Sequence, residues 1–163
     1  MRAALILTLC ALIVGCGKEG VIEPKQVSSF DQAKFVEEFG ALFLADAPLH
    51  YDDAHSFLSW LDHEVPMSET DKQVVCSELK QFLQRKTPRK LDLSAGLTGV
   101  APPEAVLRAY AVRLLGKFGN LQDVPFLKGL TTLDQAAIPK GLRYPSWKNR
   151  CTEAIKSIEE RNR

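Results

Sequence analysis

The chain has 163 residues, 45% of them hydrophobic and 25% charged, and 21 basic side chains nearly cancel 20 acidic ones to leave a formal net charge of +1. That composition is ordinary for a globular protein, and the near-zero charge excludes bulk electrostatic binding to nucleic acid, so no nucleic-acid partner is expected. The balance hides a division: residues 18–78 carry 4 basic and 13 acidic side chains, whereas residues 79–163 carry 16 basic and 7 acidic. Such a split either makes a charge dipole that meets a partner or lets the two halves complement each other when they pack.

The first segment reads as an export signal. Arg2 supplies a positive start, and residues 3–12, AALILTLCAL, supply an apolar core of ten. A bilayer span needs roughly 20 apolar residues, so this core is too short to cross one. It ends in Leu12-Ile13-Val14-Gly15-Cys16, which resembles the bacterial lipobox, where a small residue precedes an obligatory cysteine. The resemblance implies cleavage before Cys16 and acylation of Cys16 and the new N-terminus, which makes the membrane a partner through a lipid anchor. More than one acyl chain gives stable anchoring. Gly17 stands where an aspartate would imply retention at the inner membrane, so the resemblance implies the outer membrane, facing the periplasm. Residues 1–15 are thus expected to be signal, 16–29 an anchored polar tether and 30–163 one helical domain. Removing the signal leaves 148 residues, enough for one real core.

Two of the four cysteines remain for folding, Cys76 and Cys151. In an oxidising compartment a leftover pair suggests a bridge. Each also lies in a helical apolar pattern, where a buried thiol serves as a small hydrophobe. Both readings stand at this level.

Apolar residues at steps of three and four mark the helices in order. Ser29 and Gln32 have capping-box spacing before a stripe of Phe35, Phe39, Leu42 and Phe43, and Pro48 ends that run. A second helix begins near Asp52 or Asp53, with Ala54, Phe57, Leu58 and Leu61 inward and Trp60 beside them, and stops by Pro66. Ser68 with Asp71 caps a third, running to about Arg85 with Val75, Leu79, Phe82 and Leu83 inward and Cys76 at the edge. Residues 91–103 form a longer connection, after which a proline at the first helical position starts the next helix. No segment alternates with period two, so the fold class expected is all-α, with about six helices.

The C-terminal part carries a more specific pattern. Leu107-Arg108-Ala109-Tyr110-Ala111-Val112-Arg113-Leu114-Leu115-Gly116-Lys117-Phe118-Gly119 resembles the first helix of a HEAT-like repeat, and residues 120–127, with Pro125, resemble its turn and second helix. A degenerate second copy starts 40 residues after Leu107 at Trp147 and continues through Cys151, Ala154, Ile155 and Ile158, a spacing within the range of such repeats. The resemblance covers about residues 103–159. It implies an α-α superhelix or a related bundle that binds other proteins along one face and holds no catalytic residue or cofactor. Gly116 and Gly119 would allow close packing and a tight turn, and Arg108 would face a neighbouring unit or solvent.

Candidate sites are few. His50, Asp53 and His55 are the best metal or enzyme candidates, but they lack any recognised ligand spacing and suit a capped, acidic, solvated helix face equally. Lys80, Arg85, Lys86, Arg89 and Lys90 crowd the end of the third helix. They either complement its dipole or contact anionic lipid or an acidic partner. Residues 138–147 form a long connection in which Arg143 and Tyr144 are residue types favoured at interfaces. Four functions follow as expectations: a lipid-anchored adaptor, a pilotin-like escort of a secretion component, a structural envelope lipoprotein touching lipid or cell wall, and, from another class, a metal-binding protein or enzyme using His50, Asp53 and His55.

Overall fold

A computed structural model describes residues 30–46, 48–63, 65–85, 91–92, 103–133 and 144–163. The signal, Cys16, the tether and Ser29 lie outside these residues, as do Lys86, Arg89, Lys90 and Arg143. Helices account for nearly all of what is described: α1 (Gln32–Phe39), α2 (Tyr51–His63), α3 (Glu69–Gln84), α4 (Pro103–Phe118), α5 (Val124–Thr131) and α6 (Tyr144–Arg161). The fold class is all-α. Two strands of two residues each, β1 (Leu49–His50) and β2 (Leu91–Asp92), pair in parallel. They are too short to leave a period-two trace in the sequence.

Local chemistry sets the ends of the elements. Asp31 is the N-cap of α1 and accepts from the Lys34 amide at 3.1 Å. A π-helical turn, Gly40–Leu44, extends α1 and stacks Phe43 on Phe39 with ring centroids 4.5 Å apart. Ser68 and Asp71 form the expected capping box: the Asp71 amide donates to Ser68 Oγ and the Ser68 amide donates to Asp71 Oδ2 at 2.8 Å. Asp71 also accepts from Gln32 Nε2 at 2.6 Å, which joins the starts of α1 and α3. Pro103 opens α4 as expected. The last connection ends earlier than its composition suggests, because Tyr144 already belongs to α6. Trp147 is buried in the first turns of that helix and donates its indole N–H to the Leu130 carbonyl at 3.2 Å.

Side-chain links between distant residues give the helix directions. Asp62 late in α2 meets Lys117 late in α4, and Arg161 at the end of α6 donates to the Gly116 carbonyl at 2.6 Å. So α2, α4 and α6 run in parallel as one row, with α4 in contact with both neighbours. Gln32 meets Asp71, and Arg85 donates to the Leu44 carbonyl at 2.5 Å, so α1 and α3 run in parallel as a second row. Leu83 beside Arg108 shows that this second row is antiparallel to the first. Trp147 early in α6 meets Leu130 late in α5, so α5 runs antiparallel to the first row and packs on α6, and Lys80 of α3 reaches Asp123 just before it.

One apolar core lies between the rows, from Phe35, Phe39 and Phe43 at one end to Trp147, Cys151 and Ile158 at the other. Helix α4 sits at its centre, with Leu107, Ala111, Val112, Leu114 and Leu115 all fully buried. A helix apolar around most of its circumference belongs inside a stack rather than at its edge.

Cys76 and Cys151 are buried free thiols. Of the two readings for the pair, the small hydrophobe is the one the fold adopts. Their helices pack on α4 more than on each other, and no bridge forms. Burial pushes both thiols up to about 12, and at Cys76 the Asp123 carboxylate adds to the effect. A thiolate is the nucleophile, so burial leaves both thiols protonated and unreactive near pH 8. Peptide-resolved alkylation with iodoacetamide at pH 8 should leave both unmodified in the native protein and modify both within minutes in 8 M urea. Comparable native and denatured rates would contradict their burial.

Candidate binding groove between α4 and α6

The first row of helices carries an open groove of about 450 Å³ on its outer side, lined by Asp62 from α2, Arg113, Gly116 and Lys117 from α4, and Arg150, Glu153, Ala154, Ser157 and Arg161 from α6. Its floor exists because α4 and α6 approach closely at Gly116. A Cβ built there would stand 2.8 Å from the Ala154 Cα and 2.9 Å from its Cβ, closer than packed carbons come. Small residues at the crossing keep the backbones close while the long basic side chains on either side rise as walls.

Asp62 organises one wall. Its side chain is buried and accepts from Lys117 Nζ at 2.9 Å and Tyr110 Oη at 3.2 Å, and it pairs with the Arg113 guanidinium. Lys117 also donates to the Asp62 carbonyl. One carboxylate thus serves two cations. Burial lowers the Lys117 pKa, and the neighbouring positive charge of Arg113 lowers it further. Arg113 stacks over the Tyr110 ring with its guanidinium carbon 4.8 Å from the centroid. On the other wall, Arg161 is pinned to the Gly116 and Gly119 carbonyls and to Ser157 Oγ, at 2.6, 2.8 and 3.1 Å. Arg150 is exposed and has no partner among the described residues.

The other candidate residues fall elsewhere. Lys80 pairs with Asp123 at 2.6 Å, and Arg85 is held by Asp46 at 2.6 Å and by the Leu44 and Ala45 carbonyls. Both cations therefore tie helices together instead of facing outward as one patch. Arg85 to Asp46 and Arg113 to Asp62 are pairs between the acidic and basic parts of the chain, so part of the charge division is met by pairing within the chain. His55 lies between the rings of Tyr51 and Tyr110, with centroids 5.6 and 5.7 Å away. Among the described residues no group of three histidines, cysteines, aspartates or glutamates is placed to hold a metal ion, and His50, Asp53 and His55 do not converge.

Sequence reading passed over Arg113, Lys117, Arg150 and Arg161 as a set. A signal existed in part: Arg113 and Lys117 are four residues apart, and Arg150, Ser157 and Arg161 follow helical steps. Only the lateral contact of α4 with α6 makes them one surface.

No protein-family model, curated protein or solved structure matches the chain. No helix among the described residues is long and apolar enough to cross a membrane.

Proposed function

We propose that the chain is a lipid-anchored, non-catalytic adaptor of the bacterial envelope. In this reading Cys16 carries the anchor, and the helical domain is a short HEAT-like superhelix that binds a protein partner at the outer membrane. The observation that carries the reading is the groove itself, an open and charged recess on the outer side of one row of helices. Alternation of the helices between two rows supports the HEAT-like assignment, since stacked helix pairs give that arrangement and leave one row's face open to partners. Arg108 at the second position of the repeat motif joins α4 to the end of α3, as a contact between successive units would. A pilotin-like escort is a special case of the same adaptor.

The test pairs fractionation with cross-linking in the native host. Wild-type protein should sediment with the outer membrane and cross-link reproducibly to one protein. Cys16→Ser should leave the membrane fraction and keep a normal melting curve. A Cys16→Ser variant that stays in the membrane overturns the anchor. Reproducible capture of nothing by the wild type overturns the adaptor.

A further inference from the structure

The groove holds more positive charge than its own carboxylates use. Four cations, Arg113, Lys117, Arg150 and Arg161, face it against two carboxylates, Asp62 and Glu153. Asp62 is already shared between Arg113 and Lys117. Arg161 spends its donors on backbone carbonyls, which fixes its position without neutralising it. Arg113 remains 58% exposed despite its ion pair, and Arg150 has no partner among the described residues. An arginine fork so placed suits a carboxylate, which it can grip with two parallel N–H donors.

The shape and the lining select among anions. Pockets for small organic ligands enclose most of the ligand's surface, whereas this one is an open recess, and six of its nine lining residues carry ionisable side chains. A membrane surface is broad and uniformly anionic; this site is a recess between two helices, and Glu153 stands among its cations. A segment with separated carboxylates and an occasional donor complements that mixture, because opposite charges meet and Glu153 finds a hydrogen-bond donor.

We propose that the α4–α6 groove binds an acidic peptide segment of a protein partner, with Arg150 and Arg113 gripping its carboxylates. This deepens the adaptor reading and rests on it.

The probe is a fluorescein-labelled twelve-residue peptide of alternating glutamate and serine carrying one photo-reactive residue, tested on the full-length chain in mild detergent at low salt. A matched peptide with glutamine for glutamate and phosphatidylglycerol vesicles are the comparison ligands. Anisotropy should show saturable binding that weakens with salt and is at least tenfold weaker for the glutamine peptide. Arg150→Glu should weaken binding at least tenfold with an unchanged melting curve, since Arg150 is exposed and has no partner among the described residues. Lys128→Glu, an exposed change on α5, should stay within twofold of wild type. Photo-adducts should map to α4 and α6. The proposal is overturned if the glutamate peptide fails to bind, if the glutamine peptide binds as well, if Lys128→Glu is as damaging as Arg150→Glu, or if the adducts map elsewhere. It also falls if vesicles bind in an Arg150-dependent way and the peptide does not. A host protein still cross-linked by Arg150→Glu would keep the adaptor and remove the groove from it. Loss of every host cross-link in the wild type would remove the adaptor itself.

Discussion

Replacing Arg108 with methionine is expected to destabilise the fold by about 3–5 kcal/mol, the cost of breaking a buried ion pair from one side. Arg108 is 5% exposed and Glu104 6%, and the guanidinium donates to Glu104 Oε1 at 2.9 and 3.0 Å. It also donates to the Leu83 carbonyl at 3.0 Å and the Arg85 carbonyl at 2.7 Å, the last groups of α3. Helix ends leave such carbonyls without intrahelical donors, and a cation there suits the helix dipole. The guanidinium carbon also lies 5.1 Å from the centre of the Phe82 ring. Methionine would fill much of the volume but strip a donor from each of those carbonyls and leave a carboxylate in the core without its guanidinium. Because a domain of this size is stable by only about 5–15 kcal/mol, the urea midpoint should fall by a large fraction. Glu104→Gln added to Arg108→Met should recover part of the loss by removing the buried charge. A single variant within about 0.5 kcal/mol of wild type would mean that the side chain is not buried as described.

Adding one methyl group at Gly116 should be costly for the opposite reason. At 2.8 Å from the Ala154 Cα the new atom meets backbone, which cannot rotate away, so α4 and α6 must separate along their whole contact. Overpacking of this kind costs about 1–3 kcal/mol, and Gly116→Val should lie at or beyond the upper end. The gain in helix propensity from Gly to Ala, about 1 kcal/mol, offsets only part of it. Gly129 on α5 provides the contrast, since a Cβ there meets nothing within 4 Å. Gly129→Ala should therefore raise stability by up to about 1 kcal/mol. Urea titration of both variants decides the matter: opposite signs are expected, and a stabilising Gly116→Ala would refute the close crossing. The same variant should lift the floor of the groove and weaken any ligand held there.

These two glycines illustrate how far the sequence carries. Both are helical and surrounded by ordinary helix formers, and only the partner helix makes one indispensable and the other replaceable. The motif around Leu107–Gly119 did point to Gly116 as a site of close packing, and the crossing at Ala154 meets that expectation. For Arg108 the same motif left two faces open, a neighbouring unit or solvent, and the fold buries it against the end of α3.

Sequence alone determined the all-α class, the Ser68–Asp71 capping box, the Pro103 start, the end of α3 near Arg85 and most of the apolar stripes. All of these rest on interactions within four residues, which helix geometry imposes on any chain with that spacing. It placed the start of α1 two residues early, because Asp31 is the cap, and it assigned Tyr144 to a loop that α6 already includes. What tertiary structure alone decided involves residues tens of positions apart: two free thiols instead of a bridge, Lys80 and Arg85 turned to internal partners, and four cations from α4 and α6 gathered into one groove. The physical reason is that a helix's own periodicity selects the face it buries, while the neighbour it meets there, and so the pairing of every polar group along that seam, depends on how the helices stack.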